Sequence, residues 1–590
     1  MYLAKLPITP PDVSVVSYAD DCTIIPSGVN IDDVKAKISN YLPNYRQLLP
    51  GAQPKIIHYK VWTFPLKTLP RIPLQRYAAT KAATSTKPKN KSKETRPAII
   101  QCKRPNFNLY VPQEAQCKFG TIPLASSGWL HKKSKGDWFT INATVTEEEK
   151  AKEMQDLLEF LNTTKLPLTD KLLDNLKQEL DIKQLTSIQC QGWPKIYDYH
   201  HTLIAAETGC GKTLCYLTPI VQRILERKQS AVNQRKMNSP LGIILTPGRE
   251  LASQIGNVVR QLCSDMDVRV KTILGGNTKR LMMDPEFDDV DIVVASVGAL
   301  SKLVTTGIYR MDHVRHVVLD EADTLLDDSF SDKLVHFLKR FPFHKNLSQT
   351  DTEVGTQLIL ASATMPTNIN ELLHRVIDVE TIEEVSSPNL HKLMPHVEQK
   401  FLRVNKADRP AHLLSLVKKE LALRRPIIIF SNKTPTCDYV SIFLNNSGVN
   451  CLNLNGDMLM KIRMGRFEQF QNAECDVLST TDVGSRGLDT TRARNVINFD
   501  FPLHISDYIH RSGRIGRVGN MERCTVTNLI SSRREIDVAQ RIEHAARCGG
   551  LLPDVNANIK NIINKKIIKE MKEAGIPMEA GLNGQGDEAF

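Results

Sequence analysis

The sequence predicts an α/β protein built from two parallel sheets in tandem, and three observations carry that expectation. Short apolar runs bounded by turn residues alternate with helical stretches from near residue 200: TLIAAE, GIILTP, DIVVAS, HVVLDE and QLILASAT. A second series begins near residue 396 with PIIIFS, VNCLNLNG, CDVLSTTD and NVINFDFP. The polar stretch EEVSSPNLHKLMPH separates them. Strand-sized runs separated by helices read as parallel sheets wrapped by helices, and a polar break between two such series reads as a linker between lobes. No short-period repeat accompanies the pairing of lobes.

Taken in order, residues 1–50 carry VVSYADDCTII, Val15 to Ile25, which reads as a strand, turn, strand hairpin with Asp20 and Asp21 at its tip. It resembles the YADD hairpin of reverse transcriptases, where paired carboxylates clamp two divalent ions. A polymerase palm needs another metal-binding carboxylate upstream, and only Met1 to Ser17 precede the tyrosine, so no polymerase activity is expected. Residues 1–50 read instead as a retroelement fragment joined to another gene, either genuinely or through an erroneous gene prediction. Transcript reads spanning the codons around Pro50 distinguish the two.

Residues 51–145 read as a basic, transit-like linker segment. From Val34 to Lys93 there is no Asp or Glu against 13 Lys and Arg, which accounts for the whole net charge of +12. The composition suits an organelle transit segment, with a flexible RNA-contacting tail as the competing reading. Pro65, Pro70 and Pro73 oppose one long helix there. EEEKAKEMQDLLEFL and TDKLLDNLKQEL then predict helices opening the first lobe, 146–385. The second lobe is expected over 396–547 and a tail over 548–590, where KNIINKKIIKEMKEAG either caps that lobe or docks on a partner.

The 590 residues and 41% apolar content suffice for real cores. No run approaches a membrane span. The 12 cysteines form no CxxC pair or zinc-like spacing, so free thiols are the default. Since the rest of the chain is near neutral, nucleic-acid binding has to be argued from motifs.

The strongest motif is AAETGCGKT, Ala205 to Thr213, between a strand and a helix. Thr208, Gly209, Cys210 and Gly211 form a loop whose glycines turn backbone N–H groups inward as an anion nest at a helix N-terminus. Lys212 reaches the terminal phosphates and Thr213 offers its hydroxyl to Mg²⁺. Cys210 reads as a small residue that fits a tight loop. The second motif, VVLDEADTLLDD, delivers Asp320, Glu321 and Asp323 to the carboxyl end of a strand, where ligands collect in open parallel sheets. Asp320 is suited to hold Mg²⁺ through water, and Glu321 to deprotonate an attacking water.

With DEAD at 320–323, the phosphate loop before it and SAT at Ser362 to Thr364 after it, the chain resembles a DEAD-box RNA helicase from about Phe160 to about Arg541. Within that family AAETGCGKTLCYL, VLDEADTLLDDSF, LMPHVEQKFLR and DYIHRSGRIGRVG are most similar to a mitochondrial member. The resemblance implies two RecA-like lobes, ATP and Mg²⁺ as cofactors, and RNA as partner. Gln189 in LTSIQ would read the adenine edge, and Phe160 would stack on the base. Asp489 would bind the ribose, and Arg514 and Arg517 in HRSGRIGR would act as arginine fingers beside the catalytic Lys212 and Glu321. Asp323, Ser362, Thr364 and His510 would couple the lobes.

RNA contacts are implied for Pro247, Gly248, Arg249 and Glu250, for Gly275, Gly276 and Gly298, and across the cleft for Gly456, Arg463, Thr480 and Thr481. Leu185, Ala299, Asn455 and Met460 depart from the family pattern. The resemblance further implies a mitochondrial matrix location, with nucleus or cytoplasm as alternatives. It implies ribosomal RNA of the large subunit as substrate, ribosome-assembly factors as partners, and a monomer. Two rivals remain: an ATP-dependent RNA clamp with weak unwinding, and a DNA-directed motor on the same core. RNA-stimulated phosphate release tests the first, and competition between RNA and DNA single strands tests the second.

Overall fold

The structure is a computed structural model and describes residues 13–18, 21–26, 98–111, 122–145, 154–229, 235–276, 278–326, 331–343, 355–364, 373–484, 490–517, 523–553 and 555. Asp20, Asp489, the transit-like stretch up to residue 97 and the tail beyond 555 lie outside the described residues. Residues 1–92 form one unit and 93–590 another. In the first, strands Val13–Tyr18 and Asp21–Pro26 pair antiparallel with Tyr18 opposite Asp21, the hairpin that the apolar flanks predict.

The first lobe is a seven-stranded, all-parallel sheet. Its strand order is Ile382–Ser386, His201–Ala205, Gln357–Ser362, His316–Asp320, Gly242–Thr246, Ile292–Ser296, Val270–Ile273. Alternate residues of the interior strands feed two cores. Ile204, Ile244 and Val318 pack with Trp193 and Tyr216 on one face, and Leu203, Leu245 and Leu319 with Phe337 and Phe341 on the other. Burial on both faces explains why these strands read as unbroken apolar runs. Three neighbouring strands end in the three motifs of the sequence, the phosphate loop after Ala205, DEAD from Asp320 and SAT from Ser362, so chain segments far apart in sequence meet at one edge.

The second lobe has eight strands, ordered Leu452–Leu454, Val477–Thr480, Ile427–Phe430, Asn495–Asn498, Thr525–Ile530, Glu398–Arg403, Trp138–Ile141, Ile100–Cys102. The first six are parallel; the last two add antiparallel at the edge. This corrects the linker expectation for 51–145, because residues 98–111 and 122–145 are folded onto a lobe that begins some 250 residues later in the chain. The physical reason is burial. Phe139 stacks on Phe401 at 4.5 Å, Trp129 is 1% exposed, and the buried Glu543 carboxylate accepts from the backbone N–H groups of Ala125 and Ser126 while pairing with Arg547. The chain therefore crosses between the lobes twice, and where the crossings meet, Thr144 N–H donates to the Pro395 carbonyl at 2.7 Å.

The helix expected from EEEKAKEMQDLLEFL begins at Leu157, where the Asp156 carboxylate caps the N–H groups of Leu158 and Glu159. Such a cap satisfies donors that the first helical turn leaves open.

Inside the first sheet, His316 donates Nδ1–H to the Gln357 side-chain oxygen at 2.8 Å, and the Gln357 amide nitrogen donates to the carbonyls of Ile196 and His200. Burial, the largest cause, pushes the His316 imidazole from 6.5 down to about 4. The unfolded chain binds this proton near pH 6.5 and the folded chain only near 4, so the contribution is complete above 6.5 and lost as pH falls through that window. Its full size is about 3 kcal/mol. The urea midpoint of the wild type is expected to drop over this interval more steeply than that of His316→Gln; parallel pH profiles would exclude the assignment.

Candidate active site between the lobes

The phosphate loop runs from the strand His201–Ala205 into the helix Lys212–Gln229. Gly209 and Gly211 have φ of +81° and +88°, the left-handed region that side chains avoid. Space enforces the same choice. A Cβ on Gly211 would stand 2.6 Å from the Gln189 amide nitrogen, and one on Gly209 would stand 2.7 Å from Cγ of Arg517 in the other lobe. The Lys212 ammonium donates to the carbonyls of Ala206 and Glu207 at 2.7 and 2.8 Å, which holds it over the loop.

Asp320 ends its strand 5% exposed and accepts from the Tyr216 hydroxyl at 2.7 Å and from the Glu321 N–H at 2.8 Å. Burial raises its carboxyl to about 6, against the opposing pull of the Tyr216 hydrogen bond and Lys212. Tyr216 lies one turn beyond Lys212 and no sequence motif singles it out; only its spacing in the helix could have suggested it. Glu321 adopts φ 53°, ψ 52°. A non-glycine residue held there is strained, and it turns the chain abruptly out of the sheet into the cleft.

Thr213, Asp320, Glu321 and Lys212 line a cleft of about 520 Å³ together with Arg514 and Arg517 of the second lobe. That size suits a nucleotide. The Thr213 hydroxyl and the Asp320 carboxylate are hard oxygen donors that fit Mg²⁺, which usually takes one or two carboxylates and leaves its remaining positions to phosphates and water. Among the described residues no cluster of three His, Cys, Asp or Glu offers an all-protein cage.

Gln189 sits at the cleft wall, where its side-chain oxygen accepts from Thr186 N–H at 2.9 Å and its amide nitrogen donates to the Gly211 carbonyl at 3.3 Å. Thr186 in turn donates to the Cys210 carbonyl, so the LTSIQ segment braces the loop. One N–H and one lone pair of the amide remain for a ligand. Phe160 is corrected. It is 3% exposed, packs edge-on against Trp193 with ring centroids 6.0 Å apart, and does not line the cleft. Met154, Leu180 and Ile182 line the wall beside Gln189 instead. Cys210 is buried and burial raises its thiol, so it is not an activated nucleophile.

The lobes meet through several contacts. His510 Nε2 lies 3.2 Å from Asp323, whose same oxygen accepts from the Thr364 hydroxyl; the Thr364 N–H is held by the Ser362 hydroxyl at 3.2 Å. All four residues expected to couple the lobes are thus joined. Arg514 is buried, with Nε donating to the His510 carbonyl and its own carbonyl held by Thr490. The His396 ring bonds the Gly516 carbonyl at 2.7 Å, tying the turn that carries both arginines to the interlobe segment. A Cβ on Gly513 would fall 1.5 Å from the Thr208 hydroxyl and 2.5 Å from its Cβ, so closure leaves no room there.

The residues nominated for RNA are divided. Arg249 packs on Gly275 and Gly276, where added Cβ atoms would stand 2.9 and 3.3 Å from its guanidinium. Gly248 precedes the helix Arg249–Leu262, with its carbonyl held by Thr246, next to Pro247. Gly298 and Gly456 are exposed. Four assignments change. Arg463 pairs with Glu250 at 2.7 Å across the cleft, both side chains largely buried, so this pair closes the lobes. Thr480 is 0% exposed and donates to the Thr481 carbonyl, and Thr481 is also buried; neither faces solvent. Asn455 organises its own loop by donating to Asp438 at 2.8 Å.

Two parallel sheets joined by a cleft that carries a phosphate loop on one side and arginines on the other define a two-lobed nucleotide-dependent motor. The family model for DEAD/DEAH box helicases matches residues 186–372, and that for the helicase conserved C-terminal domain matches 408–519. The chain is 33% identical over 483 residues to the probable ATP-dependent RNA helicase DDX28 of Mus musculus, covering 80% of this chain and 88% of the relative. Against its Homo sapiens counterpart it is 32% identical over 480 residues, covering 79% and 87%. Saccharomyces cerevisiae Dbp5 bound to RNA and ADP BeF3 shares the fold, with TM-score 0.56 at 21% identity over 70% of this chain and 99% of that one. So does Mss116p bound to ssRNA and AMP-PNP, with TM-score 0.55 at 20% identity over 75% and 88%. The chain belongs to the DEAD-box family of ATP-dependent RNA helicases. Among the described residues no helix is long and apolar enough to cross a membrane.

Proposed function

We propose that ATP bound at the seam of the lobes is the switch by which this helicase grips and locally opens RNA, and one observation carries the reading: Arg514 and Arg517 line the same cleft as Lys212, Thr213, Asp320 and Glu321. Loop N–H groups and Lys212 bind the phosphates, and Gln189 contributes its remaining donor and acceptor to the adenine edge between the aliphatic walls of Met154 and Ile182. Thr213 and Asp320 hold Mg²⁺, which when bound neutralises charge on the terminal phosphates. Glu321 orients the attacking water and takes its proton, while Arg514 and Arg517 meet the negative charge that spreads over the transferred phosphoryl oxygens. Asp489 is assigned to the ribose by resemblance.

Neither lobe holds the complete site, so ATP tightens RNA binding and RNA tightens ATP binding by the same factor. Pro247, Gly248, Arg249, Gly276, Gly298 and Gly456 grip phosphate and sugar, which gives hold without sequence choice. The substrate proposed is mitochondrial large-subunit ribosomal RNA, handled by a monomer together with assembly factors in the matrix. The acid-free basic stretch from Val34 to Lys93 favours that location. Crosslinking the protein to RNA in cells and sequencing what is attached tests it; recovery of only cytoplasmic or nuclear RNA would remove the mitochondrial part.

The clamp reading draws on the Arg463–Glu250 pair, which holds the lobes shut through a largely buried contact. RNA-stimulated phosphate release measured beside strand separation decides: turnover with little separation favours the clamp.

The seam itself is testable. Gly513→Ala puts a methyl group into Thr208, whose β-branched side chain has no way to withdraw, and must hold the lobes apart. RNA-stimulated turnover is expected to fall by about 10²-fold, the scale for an angstrom-sized misplacement of catalytic groups. Far-UV dichroism and thermal unfolding should stay near wild type. Unchanged turnover would mean that Thr208 and Gly513 do not meet in the working enzyme.

A further inference from the structure

Along the carboxyl edge of the second sheet, beyond the residues that resemblance assigns to RNA, three chain segments are gathered by one side chain. The Arg403 guanidinium donates from Nε to the Trp129 carbonyl at 3.1 Å and from Nη1 to the carbonyls of Val404, Ile530 and Ser531 at 3.0, 3.1 and 2.8 Å. Backbone bonds between Gly136 N–H and Arg403 O, and between Arg403 N–H and Asp137 O, both 2.9 Å, complete the knot. It fixes the turn 129–137, the loop 404–408 and the helix start 531–534 side by side.

Each segment turns cations outward. Lys132, Lys133 and Lys135 come from the turn, Lys406 from the loop, and Arg533 and Arg534 from the helix start, all six exposed. None of the six has an ion-pair partner among the described residues. The two carboxylates in these segments are already engaged, Asp137 by Lys103 and Arg104, and Asp408 by the Asn405 amide. A solvated lysine is ordinary, but six cations brought to one edge by a single, half-buried guanidinium knot form a local positive field. The edge is also the one where Thr480 ends its strand and where Gly456 follows the strand Leu452–Leu454. Four strand steps separate Val477–Thr480 from Glu398–Arg403 and five separate it from Trp138–Ile141, or about 19 and 24 Å along the sheet.

We propose that this edge is a second RNA-binding surface, which holds the phosphate backbone of RNA flanking the segment gripped between the lobes. The folded stretch 122–145, whose strand Trp138–Ile141 pairs beside Glu398–Arg403, supplies half of its charge. The surface neutralises phosphates without reading bases, so it lengthens the footprint and leaves the core's chemistry alone.

The proposal rests on RNA being the substrate, and two lengths of RNA separate the claims. Binding of the full chain with a non-hydrolysable ATP analogue is measured by anisotropy on a single strand just long enough for the core and on one carrying a long flank. The comparison protein is Lys132→Gln/Lys133→Gln/Lys135→Gln, whose exposed positions leave the fold intact, as thermal unfolding checks. The wild type is expected to bind the flanked strand more tightly, and the triple variant to lose that gain while holding the short strand normally. Removing three phosphate contacts should lower the slope of log affinity against log salt by about 2, so that between roughly 50 and 200 mM salt the wild type loses about 16-fold more affinity than the variant. RNA-stimulated turnover at saturating short strand should not change. A wild type indifferent to flank length, or a variant that keeps the gain, overturns the second surface. So does loss of binding to phosphatidylserine vesicles in place of RNA. Failure of the wild type to hold the short strand instead strikes the functional reading, while the effect of the flank is still read independently.

Discussion

Glu321→Gln is expected to lower RNA-stimulated ATP turnover by about 10²- to 10⁴-fold, the range for a lost general base and equivalent to about 3–5 kcal/mol of barrier. The substitution keeps size and polarity and removes only the capacity to accept a proton. It also leaves the backbone demand untouched, since glutamine meets the same left-handed conformation that Glu321 holds at φ 53°. The strain at this position is offset by the packing on either side of it, where Leu319 of the strand and Ala322 of the following helix are fully buried. Binding of ATP and RNA should therefore survive, and the variant should accumulate in the closed, RNA-bound state. Saturating-RNA turnover and equilibrium binding measured on the same preparation check both halves. Wild-type turnover would refute the assigned role, and lost ATP binding would mean that Glu321 supports the loop and not the chemistry.

Much of this site is legible in the sequence because each motif terminates a strand. Apolar runs mark Ala205, Asp320 and Ser362 as strand ends, and parallel strands carry the residues just beyond those ends to one edge. The coupling set of Asp323, Ser362, Thr364 and His510 comes from resemblance, and in the structure the four are joined by direct contacts. The features that sequence does not reveal have identifiable causes. Strands Ile382–Ser386 and Glu398–Arg403 carry charged residues, and Val270–Ile273 carries a lysine, so none stands out as an apolar run. Residues 98–145 read as linker because Phe139 and Trp129, which pack on each other, complete their core only with Phe401, hundreds of positions later. Phe160 suits a base on chemistry alone, and its burial against Trp193 is a tertiary fact. Thr480 and Arg463 show the same limit. A motif names residues that work together, but whether a side chain meets ligand, its own backbone or the opposite lobe is decided by packing.

Arg517→Ala is expected to reduce RNA-stimulated turnover by about 10³-fold or more, the scale on which an arginine finger acts in phosphoryl transfer. The residue lies in the second lobe, yet its Cβ, Cγ and Cα press on the phosphate loop so closely that a Cβ at Gly209 would stand 3.1, 2.7 and 3.2 Å from them. A planar, permanently charged donor set is thus set against the phosphate loop from the opposite lobe. Arg514 has its buried Nε committed to the His510 carbonyl and its backbone to Thr490, so it is not expected to make up the loss. Arg517→Lys should recover little, since a point charge does not reproduce the paired N–H geometry. The discriminating measurement is single-turnover hydrolysis with RNA and ATP both saturating. A lowered chemical rate with near-normal affinities assigns Arg517 to the transition state, whereas an unchanged chemical rate with weakened ATP affinity would reduce it to a contact that shuts the cleft.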